Sequence, residues 1–468
     1  MKTNIKNFKL SIYYVLVIFL LVIIKPDFQS QLDSYYLAFY SIICIFSLIF
    51  HFSFFAKVYS NWFRIDVLFL IGFGIVHFQW PIMYSLSGIN PELISRVWVD
   101  EMYVVYGTWL STIGIIFWLL GFSTFNTVNQ SNSTELSFKY SKLLYFTIFT
   151  FIIFLLTAGN DFLSGGVYKG SGGTASGGGI SVYFGLLFSI CIILLTTIVV
   201  LDNRKFYSGN IFRWFFNLDY LYLIVFFSYL TIFLFIGDRG GPVSLILSLF
   251  VLIGYFIRPI KLRELTFFIV FGSLFLTLIS LGRGESSGFG IIQSGFDNFN
   301  LSSGYDTTLE LANSVRTLFK SLTEVPQNHD YFYGLLWVSD ILAPIPFAQS
   351  AFLKFTNIPS HELGSAGYIT YITFGSGATS GEGSSLIADI YLNFSLGGVC
   401  FFMFLLGLFF KKVNNNLILN NSIKWIIIGI FIASFSLYFS RSGLFVTFRP
   451  MIWGILFYYL LVTKFKIL

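Results

Sequence analysis

The sequence predicts an all-α, polytopic membrane protein. Of its 468 residues, 56% are apolar and only 11% are charged, and the mean hydropathy is +0.79. A soluble domain carries roughly 25% charged residues, so this chain must keep its core in lipid. The apolar residues also gather into runs of about 17 to 25, which is the length that an α-helix needs to cross a bilayer.

About twelve such runs follow one another along the chain, and we expect each to form a transmembrane helix. The first is short and the eighth directly follows the seventh, so either is compatible with a re-entrant piece. The runs lie near residues 10–24, 35–56, 65–86, 103–124, 141–158, 180–201, 218–236, 242–257, 264–281, 387–410, 423–440 and 446–463.

These runs divide the chain into three regions. Residues 1–281 hold nine helices, residues 282–385 form one large extracytoplasmic loop, and residues 386–468 hold three more helices. Loops rich in lysine and arginine tend to stay in the cytoplasm. With the N-terminus inside, eighteen of the 28 cations fall in cytoplasmic segments, so we expect both termini in the cytoplasm of a multi-pass protein.

The composition excludes several other classes. The net charge of +6 comes from cations scattered over short loops, which offer no continuous face to nucleic acid. The cysteines Cys44, Cys191 and Cys400 lie inside apolar runs and are too few for a disulfide framework. The N-terminal lysines precede an apolar run that lacks a small-x-small cleavage pattern, which indicates a retained first helix.

Four arginines fall on the predicted external side. Arg239 lies in the polar island 237–241 between two apolar runs, Arg283 follows the ninth run, and Arg441 and Arg449 flank the start of the last run. An arginine at the end of a membrane span is costly to desolvate and usually has an anionic partner. Its planar fork of donors grips phosphate oxygens in a bidentate way. The four arginines therefore predict a pyrophosphate site, although Arg449 could instead snorkel to the interface.

The external side also carries two glycine-rich tracts, at residues 165–179 and 375–385. The first is typical of a flexible linker. The second leads into a helix, where backbone N–H groups can cradle an anion. In the long loop, residues 331–338 and 341–347 are too apolar for a free chain and predict surface helices, and residues 310–316 predict a short amphipathic helix.

Aromatic side chains of the long loop are candidates for contacts with sugar rings, although most rings of such a chain pack between helices or against lipid. The candidates are Tyr331, Tyr333, Trp337, Tyr368 and Tyr371.

An acceptor hydroxyl needs a general base or at least a hydrogen-bond acceptor. Glu382 and Asp389, near the external start of the tenth run, are the first candidates. Glu382 could instead charge a helix N-terminus favourably, Asp238 could simply pair with its neighbouring arginine, and His361 could be an ordinary loop residue. The sequence has no Asp-x-Asp pair and no ligand spacing among its four histidines, which favours chemistry without a metal or other cofactor.

Two segments resemble a known family. Residues 235–246, Phe-Ile-Gly-Asp-Arg-Gly-Gly-Pro-Val-Ser-Leu-Ile, are similar to the glycine-x-arginine-glycine signature of the O-antigen polysaccharide polymerases. Residues 383–398 resemble that family's late motif of an acidic residue, tyrosine, asparagine-phenylalanine and glycines. Ser395 stands where that motif generally has glycine, and the arginine-x10-glycine spacing of some polymerase loops is absent after Arg239 and Arg283.

The resemblance implies a glycosyltransferase at the outer face of the bacterial inner membrane, with a GT-C-like architecture. Its donor would be a glycan on undecaprenyl pyrophosphate, its acceptor a further lipid-linked repeat unit, and a chain-length regulator a candidate partner. Arg239, Arg283 and Arg441 would stabilise the leaving group. A flippase or exporter of lipid-linked oligosaccharide, an O-antigen ligase and a capsular polymerase stay open as alternatives.

Overall fold

The structure is a computed structural model that describes residues 2–86, 97–98, 100–124, 136–163, 178–282, 288, 290–299, 306–378, 380–419 and 422–466. The first ten helices are α1 (Lys2–Ile23), α2 (Ser34–Ala56), α3 (Ile65–Ser85), α4 (Val104–Thr124), α5 (Ser141–Leu163), α6 (Gly178–Asn203), α7 (Ile211–Phe216), α8 (Tyr220–Ile236), α9 (Gly240–Leu252) and α10 (Leu262–Gly282).

Six short helices follow, and three apolar helices close the chain. The short helices are α11 (Gly290–Asp297), α12 (Asp306–Ala312), α13 (Val315–Glu324), α14 (Val338–Leu342), α15 (Ala348–Thr356) and α16 (Ser365–Phe374). The apolar helices are α17 (Leu386–Leu419), α18 (Ile423–Phe435) and α19 (Phe448–Leu461). Strands β1 (Leu136–Lys139) and β2 (Thr463–Lys466) form an antiparallel pair.

Every apolar run that the sequence singled out forms a helix. Eight helices in the described part of the chain are long and apolar enough to cross a membrane. Four more are apolar but shorter, namely Phe8–Ile23, Tyr220–Ile236, Ile423–Phe435 and Phe448–Leu461. The chain is therefore an all-α polytopic membrane protein, while a count of twelve crossings stays a prediction.

Glycines allow α4 and α17 to pack backbone against backbone. Gly107, Gly114 and Gly121 are spaced seven residues apart, so they lie on one face of α4. A Cβ atom at Gly121 would lie 2.1 Å from the Phe404 carbonyl oxygen, and one at Gly407 would lie 2.1 Å from the Trp118 carbonyl oxygen. Small residues permit such close crossings in membranes, where packing rather than water exclusion holds helices together.

Helix α17 is broken at Phe394 and Ser395, where φ is −142° and 59°. The break releases the carbonyl groups of residues 392 and 393 from the helix, and the backbone N–H groups of Phe332 and Tyr333 donate to them over 3.0 Å each. Ser395, with ψ of −163°, has a backbone conformation that glycine adopts almost alone. This conformation explains why a glycine is expected at that position.

The helix ends gather into two groups of contacting loops. At one end the Trp62 N–H donates to the Ile260 carbonyl over 2.9 Å, and β1 pairs with β2. At the other end the Ser30 N–H donates to the Met102 carbonyl over 2.9 Å, and the segments that carry Arg239 and Arg441 meet. Loops that the charge pattern assigns to the same side are therefore neighbours in space.

The long loop differs in detail from the sequence-based expectation. Residues 331–338 contain only a 3-10 turn, Leu335–Trp337, before α14. Helix α14 ends at Leu342, because Pro344 and Pro346 cannot continue it. The expected helix over 310–316 is interrupted at residues 313–314, between α12 and α13. The interruption turns α12 toward the neighbouring α3.

We predict that Gly121→Ala destabilises the protein, because the added methyl group meets backbone atoms that cannot move aside. Overpacking of this kind costs about 1–3 kcal/mol, which should lower the thermal unfolding midpoint in detergent by several degrees. Gly74→Ala in α3 is the matched control, since its Cβ has no neighbour within 4 Å. Equal midpoints for the two variants would contradict the close crossing of α4 and α17.

Candidate functional site

Arg239 lies at a tight corner between α8 and α9. Gly237 ends α8 with φ of 88°, a left-handed conformation that glycine adopts without strain. The Asp238 carboxylate then accepts the Gly240 N–H over 2.9 Å and caps the start of α9. The corner leaves Arg239 with a side chain only 16% exposed. The polar island 237–241 is thus a helix–helix corner that presents one arginine.

Glu310 joins Arg239 to Arg441. The Arg239 guanidinium forms an ion pair with Glu310 Oε2, and Arg441 Nη1 lies 3.7 Å from Glu310 Oε1. Ser280 Oγ also donates to Glu310 Oε2 over 3.1 Å. Arg239 Nη1 donates in addition to the Leu276 carbonyl over 3.3 Å. One carboxylate therefore draws two guanidinium groups from distant parts of the sequence into one place.

The short helix α12 positions Glu310. Its Thr308 hydroxyl donates to Gln79 Oε1 over 2.6 Å, and the indole N–H of Trp80 donates to Asn313 Oδ1 just after the helix over 2.9 Å. Both partners belong to the C-terminal end of α3. The long loop is thereby fixed to the helical bundle at the point where Glu310 meets the arginines.

These charged residues line a cavity of about 350 Å³, which we call the arginine cavity. Its wall consists of Asp238, Arg239, Gly240, Leu276, Thr308, Glu310, Leu311, Tyr438, Arg441 and Ser442. Burial raises the pKa of Tyr438 to about 12, although Arg239 and Arg441 act in the opposite direction. Its hydroxyl stays protonated at neutral pH and can donate a hydrogen bond. The cavity therefore offers two guanidinium groups and a hydroxyl to an anion.

Glu382 lies outside this cavity and is bound by an arginine of the loop. Arg316 reaches it with Nε at 2.5 Å from Oε1 and with Nη2 at 2.7 Å from Oε2. The Glu382 side chain is 7% exposed, and its backbone N–H donates to the Thr370 hydroxyl over 2.9 Å. The bidentate pair connects α13 to the segment that leads into α17.

Asp389 is buried and also lies outside the arginine cavity. Its Oδ2 accepts the Trp337 indole N–H over 2.9 Å and the Leu444 backbone N–H over 2.8 Å. Leu444 follows Arg441 by three residues, so the bond fixes the segment that carries this arginine. A Cβ atom at Gly443 would lie 3.4 Å from both Asp389 Oδ2 and Asp340 Oδ2, which shows how tightly the segment packs on two carboxylates.

Of the other two predicted arginines, Arg449 does not line the cavity. Arg449 lies beside Asp340, whose pKa is raised by burial and lowered to a lesser degree by the Arg449 charge. Arg283 lies outside the described residues. The structure thus brings Arg239 and Arg441 together and leaves Arg449 as a separate cation near the same loop.

The five aromatic candidates differ in how far their rings are exposed. Trp337 and Tyr368 are only 6% and 4% exposed, and their rings pack against other aromatic side chains. Tyr331 is half-buried against Tyr391. Tyr333 and Tyr371 are 73% and 41% exposed. The His361 ring stacks on one face of the Tyr371 ring, with centroids 3.8 Å apart, so Tyr333 is the more open of the two.

Sequence reasoning did not assign a role to Glu310 or Tyr438. Glu310 lies in a segment that the sequence predicts as a short helix, but its partners are 71 and 131 positions away, and no local pattern connects them. Tyr438 is one of 27 tyrosines and has no distinguishing spacing. Among the described residues, no three His, Cys, Asp or Glu side chains gather to hold a metal ion.

Comparison with known proteins identifies a family. A family model described as O-antigen polysaccharide polymerase Wzy covers residues 217–468, which is more than half of the chain and includes every residue of the arginine cavity. No curated protein and no solved structure matches the chain.

Substitutions at Asp389 should separate hydrogen bonding from charge. In Asp389→Asn the amide oxygen can accept both N–H groups, so we expect a nearly unchanged unfolding midpoint. In Asp389→Leu the Trp337 and Leu444 donors lose their acceptor, and each unpaired buried donor costs about 1–3 kcal/mol. Thermal unfolding in detergent measures both variants. A midpoint for Asp389→Leu equal to that of Asp389→Asn would show that these bonds do not hold the segment.

Proposed function

The chain belongs to the O-antigen polysaccharide polymerase family Wzy, and from that premise we propose that it joins repeat units carried on undecaprenyl pyrophosphate. Members of this family act on lipid-linked oligosaccharide repeat units in the membrane. In the proposal, Arg239 and Arg441 hold the pyrophosphate of the donor at the outer face of the inner membrane. The reaction is a glycosyl transfer that needs no metal ion.

The bridge from Arg239 through Glu310 to Arg441 is the observation that carries this proposal. A single carboxylate occupies the point at which two guanidinium groups converge. A pyrophosphate brings more negative charge and more acceptor oxygens to the same point, and guanidinium forks pair well with phosphate oxygens. The substrate therefore replaces Glu310 as the partner of the arginines.

Replacement of Glu310 by the pyrophosphate positions the side chains that the glycosyl transfer needs. The acceptor hydroxyl oxygen bonds to the anomeric carbon of the donor, and the bond from that carbon to the pyrophosphate oxygen breaks with its electron pair passing to the phosphate. Arg239, Arg441 and the Tyr438 hydroxyl stabilise the charge that develops on the leaving group. The hydroxyl proton passes to Glu310, which the exchange has released as a general base.

We give the two carboxylates expected from the sequence supporting roles. Asp389 positions Arg441, because it holds the Leu444 N–H three residues further on. Glu382 holds the loop through Arg316. The carboxylates of both residues are bound and contribute nothing to the wall of the arginine cavity, so neither is our choice for the proton acceptor.

The remaining features extend the proposal to the whole substrate. Tyr333 and Tyr371 offer exposed rings for sugar units of the growing glycan. The cation distribution supports cytoplasmic termini, with the loop 282–385 outside. Arg283, directly after α10, would add a further cation to the external group. A GT-C-like architecture and a chain-length regulator as partner stay predictions.

Arginine-to-lysine substitution tests the phosphate contacts. We predict that Arg239→Lys and Arg441→Lys each reduce polymerisation about a hundredfold, because an ammonium group cannot make the bidentate contact. Polymer formation by purified protein from lipid-linked repeat units is the measurement. Arg258→Lys is the control, since Arg258 pairs with Glu264 at the opposite end of the bundle. Full polymerisation by Arg239→Lys would argue against this phosphate site.

Substitution of Glu310 tests the proton acceptor. We predict that Glu310→Gln lowers turnover by about a hundredfold or more, since an amide cannot take the hydroxyl proton. The donor concentration for half-maximal rate should stay equal or fall, because a neutral side chain competes less for the arginines. Glu264→Gln is the matched control. Turnover within a few-fold of the unsubstituted protein would eliminate Glu310 as the base.

A further inference from the structure

An apolar groove lies directly beside the arginine cavity. It is a cavity of about 160 Å³ between α3, α8, α9, α10 and α12. Leu276, Thr308, Leu311 and Tyr438 line both this groove and the arginine cavity. The two spaces therefore share a wall, so that a ligand with a charged head and an apolar chain could occupy both.

The groove follows α10 away from the charges. Its wall on this helix extends from Leu276 to Phe268, which is about 12 Å at the helical rise of 1.5 Å per residue. Facing residues such as Val243 and Ile75 are apolar. The hydroxyl of Ser273 donates to the Val270 carbonyl of its own helix. The groove therefore offers about 12 Å of hydrocarbon contact along α10, with little demand for polar partners.

Helix α10 forms one wall of the groove. The other face of this helix is open, with Phe267 61%, Val270 47% and Phe271 56% exposed. At the middle of the groove, a Cβ atom at Gly272 would have no neighbour within 4 Å. Because Gly272 lines the groove, a larger side chain at this position has open space to enter.

We propose that this groove binds the isoprenoid chain of the lipid pyrophosphate, an inference that rests on the proposed function. In such a lipid the pyrophosphate is joined directly to a branched hydrocarbon. A site for it needs an anion pocket that continues into an apolar channel, which is the arrangement of the two adjoining cavities. A phospholipid differs, since ester groups separate its phosphate from its chains, whereas Leu276 and Leu311 place apolar surface directly beside the charged residues.

Cross-linking from the groove tests the occupant. A benzophenone amino acid placed at Ile269, in the groove, should label a radioactive isoprenoid pyrophosphate about tenfold more than one placed at Val270, its lipid-facing neighbour. Arg239→Lys should reduce the labelling at Ile269, because the head group anchors the chain. Equal labelling at both positions, or labelling at Ile269 by phosphatidylglycerol that the isoprenoid pyrophosphate does not displace, would overturn the proposal.

Filling the groove gives an independent test. Gly272→Trp should raise the donor concentration for half-maximal polymerisation about tenfold or more, because the chain loses apolar contact. The rate with a donor carrying a short, ten-carbon chain should change much less. Val270→Trp, on the exposed face of α10, is the control and should leave both rates unchanged. Equal effects of Gly272→Trp on long-chain and short-chain donors would overturn the proposal.

The two proposals fail in different ways. If Arg239→Lys and Arg441→Lys impair polymerisation while Gly272→Trp does not, the phosphate site stands and the groove proposal is wrong. If the arginine substitutions also leave polymerisation intact, the proposed function of the cavity is wrong, and the groove proposal falls with it.

Discussion

A carboxylate shared by two guanidinium groups determines how three distant stretches of this chain meet. Glu310 brings the corner at Arg239 and the turn at Arg441 against the short helix α12. Charged groups at the end of a membrane bundle are stable only when they are paired or reach water. In the proposed function, an anion with more charge than a carboxylate takes the place of Glu310. The arginine cavity, its apolar continuation and the proposed reaction all depend on this bridge.

Close helix contacts in the bundle fix the segments that carry the residues of the arginine cavity. Close contact at Gly121 and Gly407 fixes α17 against α4. The break at Ser395 then exposes carbonyl groups to which the long loop attaches. Asp389, one helical turn into α17, holds the segment after Arg441. Backbone contacts rather than side-chain packing alone thus connect the membrane helices to the residues that line the cavity.

The sequence predicts the helices well and the site only in part. Apolar runs locate every long helix, because the length and hydropathy of a membrane helix are local properties. The charge pattern predicts Arg239 and Arg441 on the same side of the membrane, because the order of the apolar runs assigns each loop to a side. The partner Glu310 could not be found this way, because its contacts depend on how α12 packs on α3. The sequence offers Trp337 and Tyr368 as candidate sugar contacts and cannot show that both are buried, because burial depends on how distant segments pack.

A structure determined with a bound isoprenoid pyrophosphate tests the central claim most directly. The account predicts phosphate oxygens within about 2.7–3.2 Å of both the Arg239 and Arg441 guanidinium groups, with the Glu310 carboxylate displaced from between them. The account is contradicted if the pyrophosphate binds elsewhere, for example at Arg316 or Arg449, while Glu310 still bridges Arg239 and Arg441.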